Sequence, residues 1–231
     1  MPAVRIRAAA LCAACLPLVP LSAPAEADAR VVPRASSGLQ GFDQLNAVGG
    51  TLSYQRRAPG GRRGVARATY RGPGNGYSRG IFNVSWRNGE RVRYGARFYL
   101  PRGFHRRMQG QVDILRWDTW PRDDRSGIVI YGSDRRARLV RQRLGVEQVD
   151  ISRRFRLPEG RWFRLEVRQR LSRGRALNRV YLNGRLIAAS RTRNTYGLTV
   201  RRVRYGIVAV DAGRQRKSLS LFFDDAFVRR G

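Results

Sequence analysis

The chain is poor in the residues that most metal centres and nucleophilic active sites use. Its 231 residues include one histidine and two cysteines. A histidine-rich metal site and a cysteine–histidine nucleophile pair are therefore excluded by number alone. The single histidine, His105, lies beside arginine in a predicted loop, which is typical of a surface residue rather than of a catalytic base.

Both cysteines lie in an N-terminal segment that has the features of a secretory signal peptide. Two arginines precede a short apolar run at residues 8–21, and small-residue cleavage sites follow. We therefore expect cleavage near Ala27 or Ala29, with residues 1–29 removed, and a secreted protein without cysteine. The run is too short and too rich in proline for a good membrane span. Lipid attachment at Cys15 is the alternative, and Cys12 three residues earlier disfavours it.

Negative charge is also scarce. The chain has 16 acidic residues against 47 basic ones, of which Lys217 is the only lysine, and its formal net charge is +31. A GC-rich genome favours arginine codons, but the excess of positive charge still predicts attraction to a polyanion. Candidate partners are an acidic polysaccharide, another cell-envelope polymer such as teichoic acid, an anionic membrane surface, or nucleic acid. Nucleic acid is the less favoured partner because no helix-turn-helix, zinc finger, RNP motif or phosphate-binding loop is legible.

Helical periodicity is absent from the chain beyond the signal peptide. Short runs of alternating apolar and polar residues recur instead, separated by turns rich in glycine, proline and asparagine. The clearest run, Trp162–Leu171, is followed by an Asn183-Gly184 turn that predicts a tight hairpin. We therefore predict an all-β, two-sheet antiparallel sandwich over residues 51–231, preceded by a linker at residues 30–50.

Five short motifs, in a fixed order, carry a more specific resemblance. They are Gly-Glu-Arg-x-x-Tyr-Gly-x-x-Phe-Tyr-Leu-Pro (89–101), Gly-Arg-Trp-x-x-Leu-x-Val (160–167), Tyr-Leu-Asn-Gly-Arg-Leu (181–186), Arg-Tyr-Gly-Ile (204–207) and Phe-Asp-Asp (223–225). Together they resemble the concanavalin A-like lectin/glucanase jelly rolls, and most closely the polysaccharide lyases of the heparin lyase I and glucuronan lyase kind. The resemblance covers about residues 51–228 and implies a jelly roll whose concave sheet forms a glycan cleft.

The alternation within each strand groups the candidate ligands of such a cleft. The proposed site consists of residues on the polar side of three predicted strands. It also includes an arginine that matches an earlier cleft strand of the family. Because alternation fixes which residues share a face but not which face meets water, a solvated outer surface is the alternative. The candidate glycan-binding residues are Arg79, Arg97, Tyr99, Arg116, Asp118, Arg202 and Arg204.

The resemblance also implies where a lyase would hold its proton-transfer groups. Lyases of this branch typically carry Gln-x-His on one cleft strand and a basic residue four positions before a tyrosine on another. The first pattern falls on Arg116 to Asp118 and the second on Arg204 to Val208. The histidine is thus replaced by aspartate and the tyrosine by valine, which cannot move a proton. We therefore expect a binding module without catalysis, and a lyase that uses Asp118, Arg116 and Arg204 is the alternative.

The remaining candidates concern metals and stacking. We expect no cofactor; a structural Ca²⁺ at Asp224 and Asp225 is a minor alternative, because calcium needs several converging oxygens. The aromatic residues Tyr99, Trp120 and Tyr131 are candidates for stacking on sugar rings. The other two aromatic residues of interest, Trp117 and Trp162, are expected in the core.

Overall fold

The structure is a computed structural model, and it describes most of the chain beyond the predicted signal peptide. The described residues are 30–31, 39, 41–72, 76–119, 124–143, 147–210, 215 and 217–231. The predicted signal peptide and Trp120 lie outside them. None of the helices in these ranges has the length and apolar character needed to span a bilayer.

Strands dominate the described chain. They are β1 (Arg30–Val31), β2 (Gln44–Val48), β3 (Gly50–Arg57), β4 (Arg63–Tyr70), β5 (Gly76–Trp86), β6 (Arg91–Tyr99), β7 (Gln111–Thr119), β8 (Asp124–Tyr131), β9 (Arg136–Arg143), β10 (Glu147–Asp150), β11 (Trp162–Arg170), β12 (Leu177–Leu182), β13 (Arg185–Ser190), β14 (Val200–Val210) and β15 (Leu219–Arg230). A 3₁₀ turn at Pro59–Gly61 and a single helical turn, α1 (Phe104–Arg107), accompany them.

The strands form two antiparallel sheets that pack face to face. Sheet I has the order β13-β12-β11-β6-β15-β4-β3, with β1 also paired to β15. Sheet II has the order β10-β9-β8-β7-β14-β5-β2. One cluster of buried apolar side chains from both sheets fills the space between them. The predicted all-β two-sheet sandwich is therefore confirmed.

The alternation in β11 produces the burial that it predicts. Phe163, Leu165 and Val167 are almost fully buried between the sheets, because successive side chains of a strand point to opposite faces. The hairpin from β12 to β13 turns at Asn183 and Gly184, with φ angles of 51° and 81°. These positive φ angles suit asparagine and glycine, so the predicted hairpin is confirmed.

The predicted linker at residues 30–50 contributes strands to both sheets. β2 pairs with β5 at the edge of sheet II, and β1 pairs with β15 in sheet I. Phe42, just before β2, packs its ring 4.9 Å from that of Phe82 and 5.9 Å from that of Tyr205. These contacts make residues 41–50 part of the sandwich rather than a linker into it.

A buried polar network joins the two sheets through the core. Gln169 of β11 accepts hydrogen bonds at Oε1 from the indole nitrogen of Trp117 at 2.7 Å and from the hydroxyl of Tyr94 at 2.9 Å. Its amide nitrogen donates to Asn178 at 2.9 Å. Trp117 lies in β7 of sheet II, whereas Gln169, Tyr94 and Asn178 lie in sheet I. The network therefore fixes the position of β7, which carries two of the candidate site residues.

Candidate functional site

The outer face of sheet II gathers five of the seven candidate residues. Arg204 of β14 lies opposite Arg116 of β7, and Arg202 lies opposite Asp118. On the other side of β14, Gly206 lies opposite Arg79 of β5. Because directly paired residues of an antiparallel sheet point to the same side, these side chains share one face, opposite to the core residues of the same strands.

Four of these side chains are buried although they are charged. The exposed fraction is 8% for Arg79, 5% for Arg116, 2% for Asp118 and 7% for Arg204. Arg202 is half-buried at the margin. Charged residues are seldom buried without partners, because removing an ion from water costs several kcal/mol. The contacts of each side chain therefore decide what this site can do.

Ion pairs neutralise two of the three buried arginines among the candidate residues. Arg204 Nη2 donates to Asp118 Oδ2 at 2.5 Å, and Arg116 Nη1 donates to Asp113 Oδ2 at 2.7 Å. Arg116 Nε also lies 3.9 Å from Asp118 Oδ1. The opposite residue in β8 is Gly127, where a Cβ atom would lie 2.3 Å from the Cβ of Arg116. Glycine there leaves room for the arginine side chain.

Arg79 differs from the other two. None of the described residues makes a hydrogen bond or an ion pair with its guanidinium group, whose carbon lies 4.0 Å from the ring centre of Tyr77. Burial, Arg204 and Arg116 together lower the pKa of Arg79 to about 9. The surroundings thus disfavour its positive charge. We name Arg79, Asp113, Arg116, Asp118 and Arg204 together the arginine–aspartate cluster.

The polar face continues across β8, β9 and β10, and it includes Tyr131, one of the predicted stacking residues. Arg138 donates to Asp150 at 2.7 Å, contacts Asp134, and lies 4.1 Å over the ring of Tyr131. Burial and Asp150 raise the pKa of Tyr131 to about 12. The alternation of Arg138 with Ala137 and Leu139 in β9 is the signal that could have placed it on this face.

Two candidate residues, Arg97 and Tyr99, lie elsewhere. They belong to β6 and point outward from sheet I, on the opposite side of the sandwich from the arginine–aspartate cluster. Arg97 Nε lies 3.1 Å from Asp225 Oδ2. The ring of Tyr99 packs between those of Trp162 and Phe222, with centroid distances of 5.6 and 6.0 Å. This geometry corrects the expectation that all seven residues share one cleft.

Two of the other sequence predictions concern tryptophan. Trp117 is fully buried, as predicted. Trp162 is not in the core: it is half-buried on the outer face of sheet I, where its indole nitrogen donates to the carbonyl of Pro59 at 2.7 Å and Arg62 lies 5.0 Å over its ring. The prediction for Trp162 was therefore wrong, because it has the same parity as the outward-pointing Arg164.

The acidic pair near the C-terminus contacts arginines. Arg62 donates to Asp224 at 2.6 Å and to Asp225 at 3.2 Å. Within the described ranges, no group of three or more histidine, cysteine or acidic side chains is arranged to hold a metal ion. The single histidine, His105, lies in α1 away from the cluster, with Nδ1 2.7 Å from Glu159 Oε1.

The cluster can attract an anion, but its described residues supply no ready proton carrier. Asp118 and Val208 occupy the two positions at which the resembling lyases carry histidine and tyrosine. The carboxylate of Asp118 already accepts a hydrogen bond from Arg204, and Val208 has no titratable group. A tyrosine on the same face, Tyr131, has its pKa raised to about 12, which is far from the value that a base needs near neutral pH.

No protein-family model matches the chain, and no curated protein sequence matches it either. Solved structures with the same fold include alginate lyase Aly36B, with a TM-score of 0.59, 11% identity and coverage of 87% of this chain and 96% of that one. Alginate lyase vAL-1 from Chlorella virus has a TM-score of 0.58, 12% identity and coverage of 84% and 94%. The binding domain of botulinum neurotoxin serotype C1 has a TM-score of 0.54, 10% identity and coverage of 80% and 44%. The predicted jelly-roll sandwich is thus confirmed as the fold of this chain.

Proposed function

We propose that the chain binds an acidic polysaccharide, or another anionic cell-envelope polymer, through the arginine–aspartate cluster on sheet II, without catalysis. The observation that carries this proposal is Arg79, a buried guanidinium group that makes no hydrogen bond or ion pair with any described residue. Arg116 and Arg204 lie close enough to lower its pKa. A buried cation in such surroundings is stabilised when an anion binds.

The chemistry of arginine sets the class of ligand. A guanidinium group presents its donors in a planar fork that matches carboxylate, sulfate or phosphate with two parallel hydrogen bonds. Solved structures that share the fold include lyases of alginate, which is an acidic polysaccharide. The net charge of +31 adds a long-range attraction for any such polymer.

The proposal excludes catalysis because neither of the two proton-transfer positions carries a suitable group. Elimination from a uronate requires a group that removes a proton from the sugar. Asp118 is already the partner of Arg204, and Val208 cannot accept a proton. The guanidinium groups of Arg116 and Arg204 supply hydrogen-bond donors and positive charge rather than a base.

Replacing Arg79 with glutamine (Arg79→Gln) is expected to weaken binding to alginate or heparin at least about ten-fold at low salt, because a charge-assisted hydrogen bond contributes about 1.5–3 kcal/mol. Affinity electrophoresis or isothermal calorimetry measures this loss. Binding of the unaltered protein should also fall steeply between low and moderate salt, since screening weakens charge attraction.

The control for this experiment is Arg57→Gln, which removes one positive charge from an exposed position in β3. We expect it to change affinity less than two-fold, in keeping with the small effects of exposed charges. Equal loss in both variants would show that net charge rather than the cluster binds the polymer. Equal retention of the unaltered protein on neutral and acidic polysaccharide columns would reject the proposal.

A polysaccharide lyase is the second candidate function, favoured by the shared fold with alginate lyases. It requires Asp118, Arg116 and Arg204 to act in β-elimination with an altered catalytic set. We expect no increase in ultraviolet absorbance from unsaturated uronate when the protein is incubated with alginate, polygalacturonate or glucuronan. A sustained increase that Asp118→Asn abolishes would establish the lyase and overturn the non-catalytic proposal.

A further inference from the structure

A second concentration of arginine lies on the outer face of sheet I. Arg91 and Arg93 of β6, Arg168 and Arg170 of β11, and Arg179 of β12 line a groove of about 430 Å³. We name these five residues the arginine groove. It opens on the opposite side of the sandwich from the arginine–aspartate cluster, because β6, β11 and β12 belong to the other sheet.

The strand register sets like charges directly beside one another. Arg93 lies opposite Arg168, which lies opposite Arg179, and Arg229 of β15 extends this row on the far side of Arg93. Arg91 and Arg170 are likewise opposite each other. Like charges that face each other directly across strands destabilise a sheet, so the pairing of these arginines with one another opposes folding.

Only part of this charge is neutralised. Glu166 pairs with Arg93 at 2.9 Å and with Arg168 at 2.6 Å. The side chains of Arg91, Arg170 and Arg179 make no hydrogen bond or ion pair with any described residue, and no aspartate or glutamate side chain lines the groove. The groove therefore keeps a surplus of unpaired donors that face solvent.

We propose that the arginine groove is a second binding site for a linear acidic polysaccharide, so that one molecule of the protein bridges two polymer chains. This inference rests on the proposed function of the arginine–aspartate cluster. Neighbouring strands lie about 4.8 Å apart, so the row of arginines repeats its charge at regular steps across the sheet. A glycan with one acidic group on each sugar presents a similarly regular series of anions.

The aromatic residues near the groove favour a glycan over single-stranded nucleic acid. Arg168 lies 4.3 Å over the ring of Tyr181, and Arg164 and Arg229 lie 5.2 and 5.7 Å over the ring of Phe227. These rings are covered by guanidinium groups, whereas binding of single strands depends on ring faces that stack on bases. The ligand contacts of this surface are therefore its guanidinium groups, which match the carboxylate or sulfate groups of an acidic glycan.

The bridging geometry follows from the position of the two sites. They face away from each other across two packed sheets, which are separated by about 10 Å plus their outer side chains. A straight polymer segment that lies on one sheet cannot reach the other. Each molecule with both sites occupied therefore holds two segments and cross-links them.

The test removes the unpaired arginines of the groove and leaves those paired with Glu166. The triple variant Arg91→Gln/Arg170→Gln/Arg179→Gln should still fold, because it removes repulsion and breaks no ion pair. We expect the unaltered protein to agglutinate alginate-coated beads at low salt. The triple variant should bind soluble alginate with about half the stoichiometry and should lose at least ten-fold in agglutination titre.

A matched control removes the same number of charges elsewhere. The variant Arg56→Gln/Arg57→Gln/Arg136→Gln changes three exposed arginines outside both sites and should agglutinate the beads as the unaltered protein does. Equal loss of agglutination in the two triple variants, or none in either, would overturn the second site while leaving the proposed function intact. Failure of the unaltered protein to bind both alginate and heparin would instead reject the proposed function.

The same variants identify the occupant of the groove. At equal ionic strength, the groove triple variant should lose more affinity for alginate than for single-stranded DNA or for vesicles that contain anionic lipid. A larger loss toward DNA or toward vesicles would assign the groove to that partner and overturn the polysaccharide assignment.

Discussion

Replacing Asp118 with alanine (Asp118→Ala) is expected to lower the free energy of unfolding by about 3–5 kcal/mol, the range observed when one member of a buried ion pair is removed. The carboxylate is the partner of Arg204 at 2.5 Å and lies 3.9 Å from Arg116. All three side chains are at most 7% exposed, so water cannot replace the lost charge. Urea denaturation followed by circular dichroism measures the change.

The same substitution should affect binding in the opposite direction. With Asp118 removed, Arg204 loses its hydrogen bond to this carboxylate, and repulsion between a bound polymer and the carboxylate disappears. The folded variant should therefore bind alginate more tightly than the unaltered protein. A polymer that binds only the folded state should also raise the melting temperature of the variant by more than that of the unaltered protein.

An exposed ion pair on the same sheet provides the control. Asp150 pairs with Arg138, but its side chain is 39% exposed, and Arg138 retains a contact with Asp134. We expect Asp150→Ala to cost about 1 kcal/mol or less. If Asp118→Ala were equally mild, or if it weakened polymer binding, the buried pair would not limit the anion affinity of the cluster.

In strands of regular register, the alternation of residues in the sequence predicts which side chains face the core. In β14, for example, Val203, Tyr205 and Ile207 are fully buried, and Arg202 and Arg204 point the other way. This success has a simple cause, because the side-chain period of a strand is two whatever its neighbours are. It does not depend on knowing the order of strands in the sheets.

The outer faces could not be assigned in the same way. Both sheets have a polar outer face, and the sequence does not say to which sheet a strand belongs. Arg97 and Arg204 both lie opposite the apolar residues of their strands, yet β6 is central in sheet I and β14 is central in sheet II. Strand order comes from long-range pairing, which no local pattern encodes.

An irregularity in β7 concealed another member of the cluster. The register with β8 shifts between Asp113 and Leu115, and both Ile114 and Leu115 are buried. The shift reverses the alternation, so Asp113 shares a face with Arg116 although three positions separate them. A bulge adds one residue to one strand and is set by pairing geometry, so counting along the sequence misplaces Asp113.

The core network around Gln169 gives the second large expected effect. Replacing Gln169 with leucine is expected to lower the free energy of unfolding by about 3–5 kcal/mol. The substitution leaves the indole N–H of Trp117 and the hydroxyl of Tyr94 buried without an acceptor, and each such group costs about 1–3 kcal/mol. It also removes the hydrogen bond to Asn178. For a domain of this size, such a loss lowers the melting temperature by roughly 10 °C, which calorimetry measures.

A double-mutant cycle separates this network from simple loss of packing. Tyr94→Phe alone should destabilise the protein, since it removes a hydrogen bond to Gln169. In the presence of Gln169→Leu, the same change should cost much less or should recover stability, because it removes an orphaned hydroxyl group. Additive effects of the two substitutions would contradict the network. As a control, Gln148→Leu, at an exposed position in β10, should change the free energy of unfolding very little. Because Trp117 lies between Arg116 and Asp118, its core hydrogen bond to Gln169 holds in place the strand that carries three members of the cluster, Asp113, Arg116 and Asp118.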